Sequence, residues 1–370
     1  MYAFKKWQII TAFSLYCSLS LNFSNAQNLE NRDLNESSSQ IDNLNESRHY
    51  RTFNYPDMVS GGETLLTGIR GVAGSCNQVY ISGFYNAPNN ASVTSFIYKG
   101  PVNGSGNWYN LNFPSSPGNT VTLTNLYGPN NGKNSKIQVV GNYVAAETGS
   151  TLLGCLYRGP LNGSGTWTTL VPTAKNPVLN TIAHSTMGGL VVGNYETQPD
   201  VSKAFIYDIK LNTYYKIKKQ NAQDVTAYGI WHNGGNSYTI CGGYSNMNIT
   251  SGIDTGYLVD WNNKTKKLSN WRSFNYNNNP VEAIVTHFDG ITSDGNGGYN
   301  LTGDWLGVGN STELGFFCHV NKQNQAKWVP ISYPGQLVTS GNSVYEKTVI
   351  GVYTSPGDNS VNGYISTVKN

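Results

Sequence analysis

Charge is scarce in this chain. Its 370 residues hold 24 Lys and Arg against 21 Asp and Glu, a formal net charge of +3. Such a balance gives no electrostatic footprint for nucleic acid or an anionic membrane, so neither is expected as a partner. Cysteine is nearly as rare, at five residues, and no C-x-x-C pair occurs, which argues against a zinc ribbon. H-E-x-x-H, G-x-S-x-G and calcium-loop signatures are absent, and with them the best-marked metalloprotease, esterase and EF-hand chemistries. Beyond the first 26 residues no apolar run approaches membrane-spanning length, so no membrane insertion is expected. Apolar runs long enough for helices are also lacking. The segments are short and rich in aromatic and β-branched residues, which is the mark of strands.

At the amino terminus, Lys5 and Lys6 precede an apolar stretch from Trp7 to Leu21, and Ser24-Asn25-Ala26 offers small residues for cleavage before Gln27. Residues 1–26 therefore read as an export signal, which places the protein outside the cytoplasm, secreted or periplasmic. Loss of that segment leaves 22 basic against 21 acidic side chains. Residues 27–48 are polar, without apolar period, and read as a disordered leader. Cys76, Cys155, Cys241 and Cys318 remain in the mature chain. Export permits disulfides, but the sequence chooses none of the three pairings, and buried free thiols fit the apolar settings of the last three.

What is abundant is repetition. Ser82-Gly83-Phe84-Tyr85, Val140-Gly141-Asn142-Tyr143, Val192-Gly193-Asn194-Tyr195, Cys241-Gly242-Gly243-Tyr244, Thr302-Gly303-Asp304-Trp305 and Ile350-Gly351-Val352-Tyr353 each set an aromatic two residues after a glycine. The glycines lie 58, 52, 49, 61 and 48 residues apart, the spacing of a repeat array. Each repeat holds four strand-like segments, and Asn103-Gly104, Asn162-Gly163 and Gly234-Gly235 supply turns between them. The sixth repeat ends at its third strand, near Val368, whereas His49 to Pro56 matches the fourth-strand pattern of Trp271 to Tyr276 and Trp328 to Pro334. The expected fold is all-β: a six-bladed β-propeller over 49–370, closed by an amino-terminal strand that completes the last blade. The glycines are expected to let neighbouring sheets approach, with the aromatics filling the gap between blades.

Gly189-Leu190-Val191-Val192-Gly193-Asn194-Tyr195 followed by Lys203-Ala204-Phe205-Ile206-Tyr207-Asp208 resembles the HAF-type extracellular repeats of secreted bacterial proteins. That resemblance implies an exported propeller and carries no assigned chemistry.

Function is less legible. Asn103 to Trp108 and Asn162 to Trp167 are similar to the Asp-box turn of sialidase-like propellers but lack its aspartate, and they read as structural hairpin turns. His184, His232 and His287 could gather near the axis, although dispersed strand histidines are more often structural; no metal site, cofactor or catalytic set is assigned. Only the fifth repeat carries an acid in the centre of its first strand, Asp289, which is thin for a hydrolase needing two carboxylates. Aligned first strands bring Arg70, Tyr127, His184, Trp231, Asp289 and Asn342 to matching positions. These six form a candidate axial ligand site, with Trp231 and Tyr127 stacking and Arg70 and Asp289 fixing orientation. The expectation is a non-catalytic binding protein that recognises glycan or a polar protein surface. A carbohydrate-active hydrolase or lyase with an axial site, and an adhesion or scaffold module, are the alternatives.

Overall fold

The computed structural model describes residues 49–90, 93–132, 136–246, 254–310, 312–336, 338–355, 357 and 359–369. The expected export signal and leader lie outside the described residues. The chain is all-β, and among the described residues no helix is long and apolar enough to cross a membrane.

Strand β1 spans His49–Thr52. A four-stranded antiparallel unit follows: β2 (Glu63–Gly71), β3 (Val79–Asn86), β4 (Val93–Gly100) and β5 (Asn107–Asn110). The second unit is β6 (Val121–Pro129), β7 (Lys136–Ala145), β8 (Leu153–Pro160) and β9 (Thr166–Leu170). The third is β10 (Asn180–Met187), β11 (Leu190–Glu196), β12 (Ser202–Asp208) and β13 (Thr213–Ile217). In the fourth the first strand is broken into β14 (Ala222–Val225) and β15 (Gly229–Gly234), before β16 (Ser237–Asn246), β17 (Asp254–Asn262) and β18 (Lys267–Phe274). The fifth is β19 (Ala283–Ser293), β20 (Tyr299–Gly307), β21 (Leu314–Val320) and β22 (Ala326–Ile331). Last come β23 (Ser343–Tyr345), β24 (Thr348–Thr354) and β25 (Val361–Thr367), and β1 pairs antiparallel with β25. Thus the amino-terminal strand supplies the fourth strand of the last unit. A parallel contact of Glu63 with Val361 also joins first and last units.

Burial follows strand position. Every residue of β3 is buried, whereas β5 and β9 at the outer edges are exposed or half-buried except for Leu170. A second strand covered on both faces by neighbouring units is mainly apolar, and polar side chains there, such as Asn194 and Asp304, are hydrogen-bonded. This is why the repeat motifs read as mainly apolar runs.

The aromatics of four motifs stack between units, whereas Tyr195 and Tyr244 make their ring contacts within their own units, with Phe205 and Tyr257. Trp305 stacks on Tyr276 at 4.0 Å, Tyr353 on Tyr333 at 3.8 Å, Tyr143 on Phe113 at 3.9 Å and Tyr85 on Tyr55 at 5.3 Å. In each pair the partner follows the outer strand of one unit and the motif aromatic belongs to the next. Such offset pairs add about 0.5–1.5 kcal/mol each beyond area burial. The motif glycines act differently from expectation. A Cβ at Gly303 would strike the carbonyl oxygen of His287, and one at Gly141 that of Asn125, both on the first strand of the same unit. Close approach of neighbouring units is served instead by glycines on the first strands: a Cβ at Gly68 would meet Gly128, and one at Gly290 would meet Ser343.

Candidate functional site: a ring of bulge residues

The first strands carry an irregularity at one level. Pairing shifts between Leu66 and Gly68, Leu126 and Pro129, Ala183 and Ser185, and Phe288 and Gly290. In the fourth unit the same place is the break between β14 and β15. In the last it lies between Ser340, bonded to Val352, and Ser343, paired with Ile350. A bulge turns its extra residue out of the ladder and re-aims its side chain. The residues so turned are Thr67, Tyr127, His184, Tyr228, Asp289 and Asn342.

Tyr127, His184, Asp289 and Asn342 are thus brought to one level, as the sequence alignment expects. Arg70 and Trp231 are not. They lie three residues further along β2 and β15, and Thr67 and Tyr228 occupy the bulge in their units. The alignment slipped there because the break in the fourth unit and the charged Arg70 disguise the register.

Contacts run from five of these residues to the next unit, while Asp289 is held by His287 on its own strand. Thr67 Oγ1 donates to Leu126 O at 2.6 Å, the Tyr127 and His184 rings lie 5.1 Å apart, and His184 and Tyr228 3.7 Å apart. Tyr228 lies 4.4 Å from the ring of His287, whose Nδ1 is 2.5 Å from Asp289 Oδ1 and whose Nε2 is 2.7 Å from Thr226 Oγ1. Asn342 Nδ2 donates to Leu66 O at 2.7 Å, linking the last unit to the first.

Electrostatics set the protonation states in this ring. Burial, then the proximity of His287, holds His184 well below the usual imidazole range, so it is neutral near pH 7. Burial first, then Asp289, Tyr127, Glu196 and Glu313, drives the Tyr228 phenol well up. The Tyr127 phenol is raised chiefly by burial. Two polar atoms facing this level, Tyr127 OH and His184 Nε2, have no hydrogen-bond partner among the described residues, and both side chains are buried. Glu196, at the end of β11, and Glu313, just before β21, are carboxylates that the first-strand alignment passed over.

Arg70 forms a separate level. Its guanidinium donates to the carbonyls of Ile69 at 3.1 Å, Val344 at 3.5 Å and Ile230 at 3.3 Å, so it reaches from β2 to β23 and β15. Trp231 packs on it at 5.7 Å, and burial lowers the guanidinium to about 10, opposed by Cys241 and Tyr345. Among the described residues no carboxylate is ion-paired with it. Arg70 therefore plugs the space between three first strands. Trp231 opens on its other side into a cleft of about 610 Å³ that also meets Tyr299 and Tyr345.

The three histidines do not form a ligand set. His232 stacks on Tyr238 and bonds Gly235 O, apart from His184 and His287. Among the described residues no group of three or more His, Cys, Asp or Glu could hold a metal ion. The Asn103 and Asn162 turns are structural: each asparagine side chain accepts from Ser105 or Ser164, and Trp108 and Trp167 pack on neighbouring aromatics. Two further clefts, at the junctions of the third and fourth and of the fifth and last units, are lined by several lysines.

No family model and no curated protein matches the chain. Among solved structures it is similar to the α-L-arabinofuranosidase Arb93A of Fusarium graminearum, in complex with an iminosugar inhibitor, at 12% identity and a TM-score of 0.49. That match covers 86% of this chain and 97% of the other. An α-L-arabinanase of Penicillium chrysogenum complexed with arabinobiose matches at 12% identity and a TM-score of 0.46, over the same shares. The haemagglutinin-neuraminidase ectodomain of parainfluenza virus 5 matches at 9% identity and a TM-score of 0.47, covering 88% of this chain and 87% of that one. At these values none of them lends this chain a site or a reaction.

Proposed function

We propose that the four-stranded units are the six blades of one closed β-propeller, with β1 as the outer strand of the last blade, and that this exported protein binds carbohydrate at the propeller axis. The pairing of β1 with β25, the contact of Glu63 with Val361 and the Asn342–Leu66 bond support closure. The resemblance of the third repeat to HAF-type proteins belongs to the same proposal. One observation carries the ligand reading: the bulge ring presents a buried hydroxyl and a buried neutral imidazole, Tyr127 OH and His184 Nε2, without partners. Buried polar groups demand hydrogen bonds, and a donor-acceptor pair beside stacked aromatic rings suits sugar hydroxyls over an apolar sugar face.

Cleavage of the bound glycan is the second reading. It is favoured by the negative charge that Asp289, Glu196 and Glu313 bring to bear on Tyr228, because hydrolysis of a glycosidic bond needs two carboxyl groups facing one sugar. A panel of soluble polysaccharides, arabinan among them, assayed by affinity electrophoresis and for new reducing ends, separates the readings. Retention without reducing ends is the expected result, and Tyr127→Phe weakens it. New reducing ends that vanish in Asp289→Asn establish the hydrolase. If neither retention nor cleavage occurs with any glycan, the axial reading fails.

A further inference from the structure

We infer that the cleft beyond Arg70 is a second carbohydrate site, built for an uncharged sugar ring and independent of the bulge ring. It sits where the first strands of the fourth, fifth and last units end: Trp231 on β15, Thr292 on β19 and Tyr345 on β23 each lie three residues past the bulge. Arg70, three residues past Thr67, stands at this same level, pinned to its three carbonyls and filling the space between β2, β15 and β23. The cleft is therefore offset by three residues along the first strands from the bulge residues, and none of those residues lines it.

The cleft is built rather than incidental. Its volume of about 610 Å³ falls within the roughly 300–1,000 Å³ typical of small-molecule sites. Trp231 is half-buried: it rests on the Arg70 guanidinium, packs on the core of the fourth and fifth units, and lines the cleft with what stays exposed. Tyr345 is half-buried against Gly71, where a Cβ would strike its ring. Beside them the Asn233 amide is held at both ends: its Nδ2 donates to Thr239 Oγ1 at 2.9 Å and its Oδ1 accepts from Tyr299 OH at 3.0 Å. That leaves a second amide hydrogen, already oriented, for a ligand hydroxyl. A rigid aromatic surface next to a fixed amide recognises the apolar face and the hydroxyl edge of a sugar.

Charge decides the ligand class. Neither Lys nor Arg lines this cleft, and Glu346 does, so phosphate, sulfate and uronate groups meet repulsion. Arg70 offers them no rescue, because its two terminal nitrogens face carbonyls, its Nε is buried, and the side chain is only 4% exposed. The lysine-lined clefts elsewhere provide the contrast.

Affinity electrophoresis in xylan, galactomannan and mixed-linkage β-glucan, with polygalacturonate as the anionic arm, tests the inference. Retention by at least one neutral polysaccharide is expected to fall about fivefold or more in Trp231→Ala, the loss typical of a stacking anchor. Asn233→Ala, at an exposed position, lowers retention while the variant still unfolds cooperatively, its melting temperature falling only by the loss of two side-chain hydrogen bonds, and so guards against a folding artefact. Tyr127→Phe, at the other level, leaves this component of binding intact. The inference is overturned if no neutral polysaccharide is retained, if polygalacturonate is preferred, or if both variants bind like the wild type. Loss in Tyr127→Phe alone overturns it too, while leaving the axial reading standing.

Discussion

Replacing Phe53 by alanine probes the junction between the two ends of the chain. Phe53 follows β1, its N–H donates to Gly363 O at 2.7 Å, and its ring is 5% exposed. The ring meets Tyr98 at 5.0 Å and Trp108 at 5.3 Å, both in the first unit, so one side chain binds the last unit to the first. Emptying a buried phenylalanine site costs about 3–5 kcal/mol, through lost transfer energy and the cavity left behind. Against a total stability of about 5–15 kcal/mol this is a large fraction. Urea unfolding followed by tryptophan fluorescence should show a clear fall in midpoint for Phe53→Ala. Thr52→Val, which loses bonds to the hydroxyls of Tyr333 and Tyr353, should show a smaller fall of about 1 kcal/mol. Lys210→Ala, at an exposed site, should stay within about 0.5 kcal/mol of wild type. A Phe53→Ala midpoint equal to that of Lys210→Ala would refute the claim that the ends of the chain are locked together.

Tyr143→Ala removes a ring stacked at 3.9 Å on Phe113 and should cost roughly 3–5 kcal/mol; normal melting would show that the aromatics do not bind units together. Protonation of His184 opposes folding, because its folded-state pKa lies well below the unfolded value of 6.5. The stability this neutral group confers is full above that value and drains away as pH falls below it, so His184→Gln should flatten the dependence of the urea midpoint between about pH 6.5 and 5. An unchanged slope would mean that His184 is solvated. Cys76 is exposed while Cys155, Cys241 and Cys318 are buried, and all four are free. A thiol reagent should therefore label one of these four sites in the folded protein and all four in urea; labelling of none in urea would indicate disulfides.

The repeat length, the strand content and the role of His49 to Pro56 were legible because they rest on local pattern. A glycine–aromatic pair recurs wherever the second strand is buried on both faces, and the outer-strand pattern of Trp271 to Tyr276 recurs at the amino terminus. The centre was only partly legible. Tyr127, His184, Asp289 and Asn342 share the bulge position along their first strands, whereas Arg70 and Trp231 stand three residues further along theirs. A better signal was present: the bulge residue precedes a small residue every time, as in Thr67-Gly68, Tyr127-Gly128, His184-Ser185, Tyr228-Gly229, Asp289-Gly290 and Asn342-Ser343. The small residue is needed because the neighbouring first strand passes against it, as Gly68 against Gly128 illustrates. The motif middle residue was also informative. Asn194 accepts from Ala227 N at 2.8 Å and Asp304 from Gly341 N at 2.9 Å, each clamping the next unit. Glu196 and Glu313 lay beyond reach, since their nearness to Tyr228 arises between units distant in sequence.

The most direct test of the central claim is a crystal structure of the wild-type protein with the best-retained oligosaccharide. Density for a sugar within hydrogen-bond reach of Tyr127 OH and His184 Nε2 is the predicted result. A bound sugar confined to the outer surface of the blades, with both of those atoms satisfied by water alone, would contradict it.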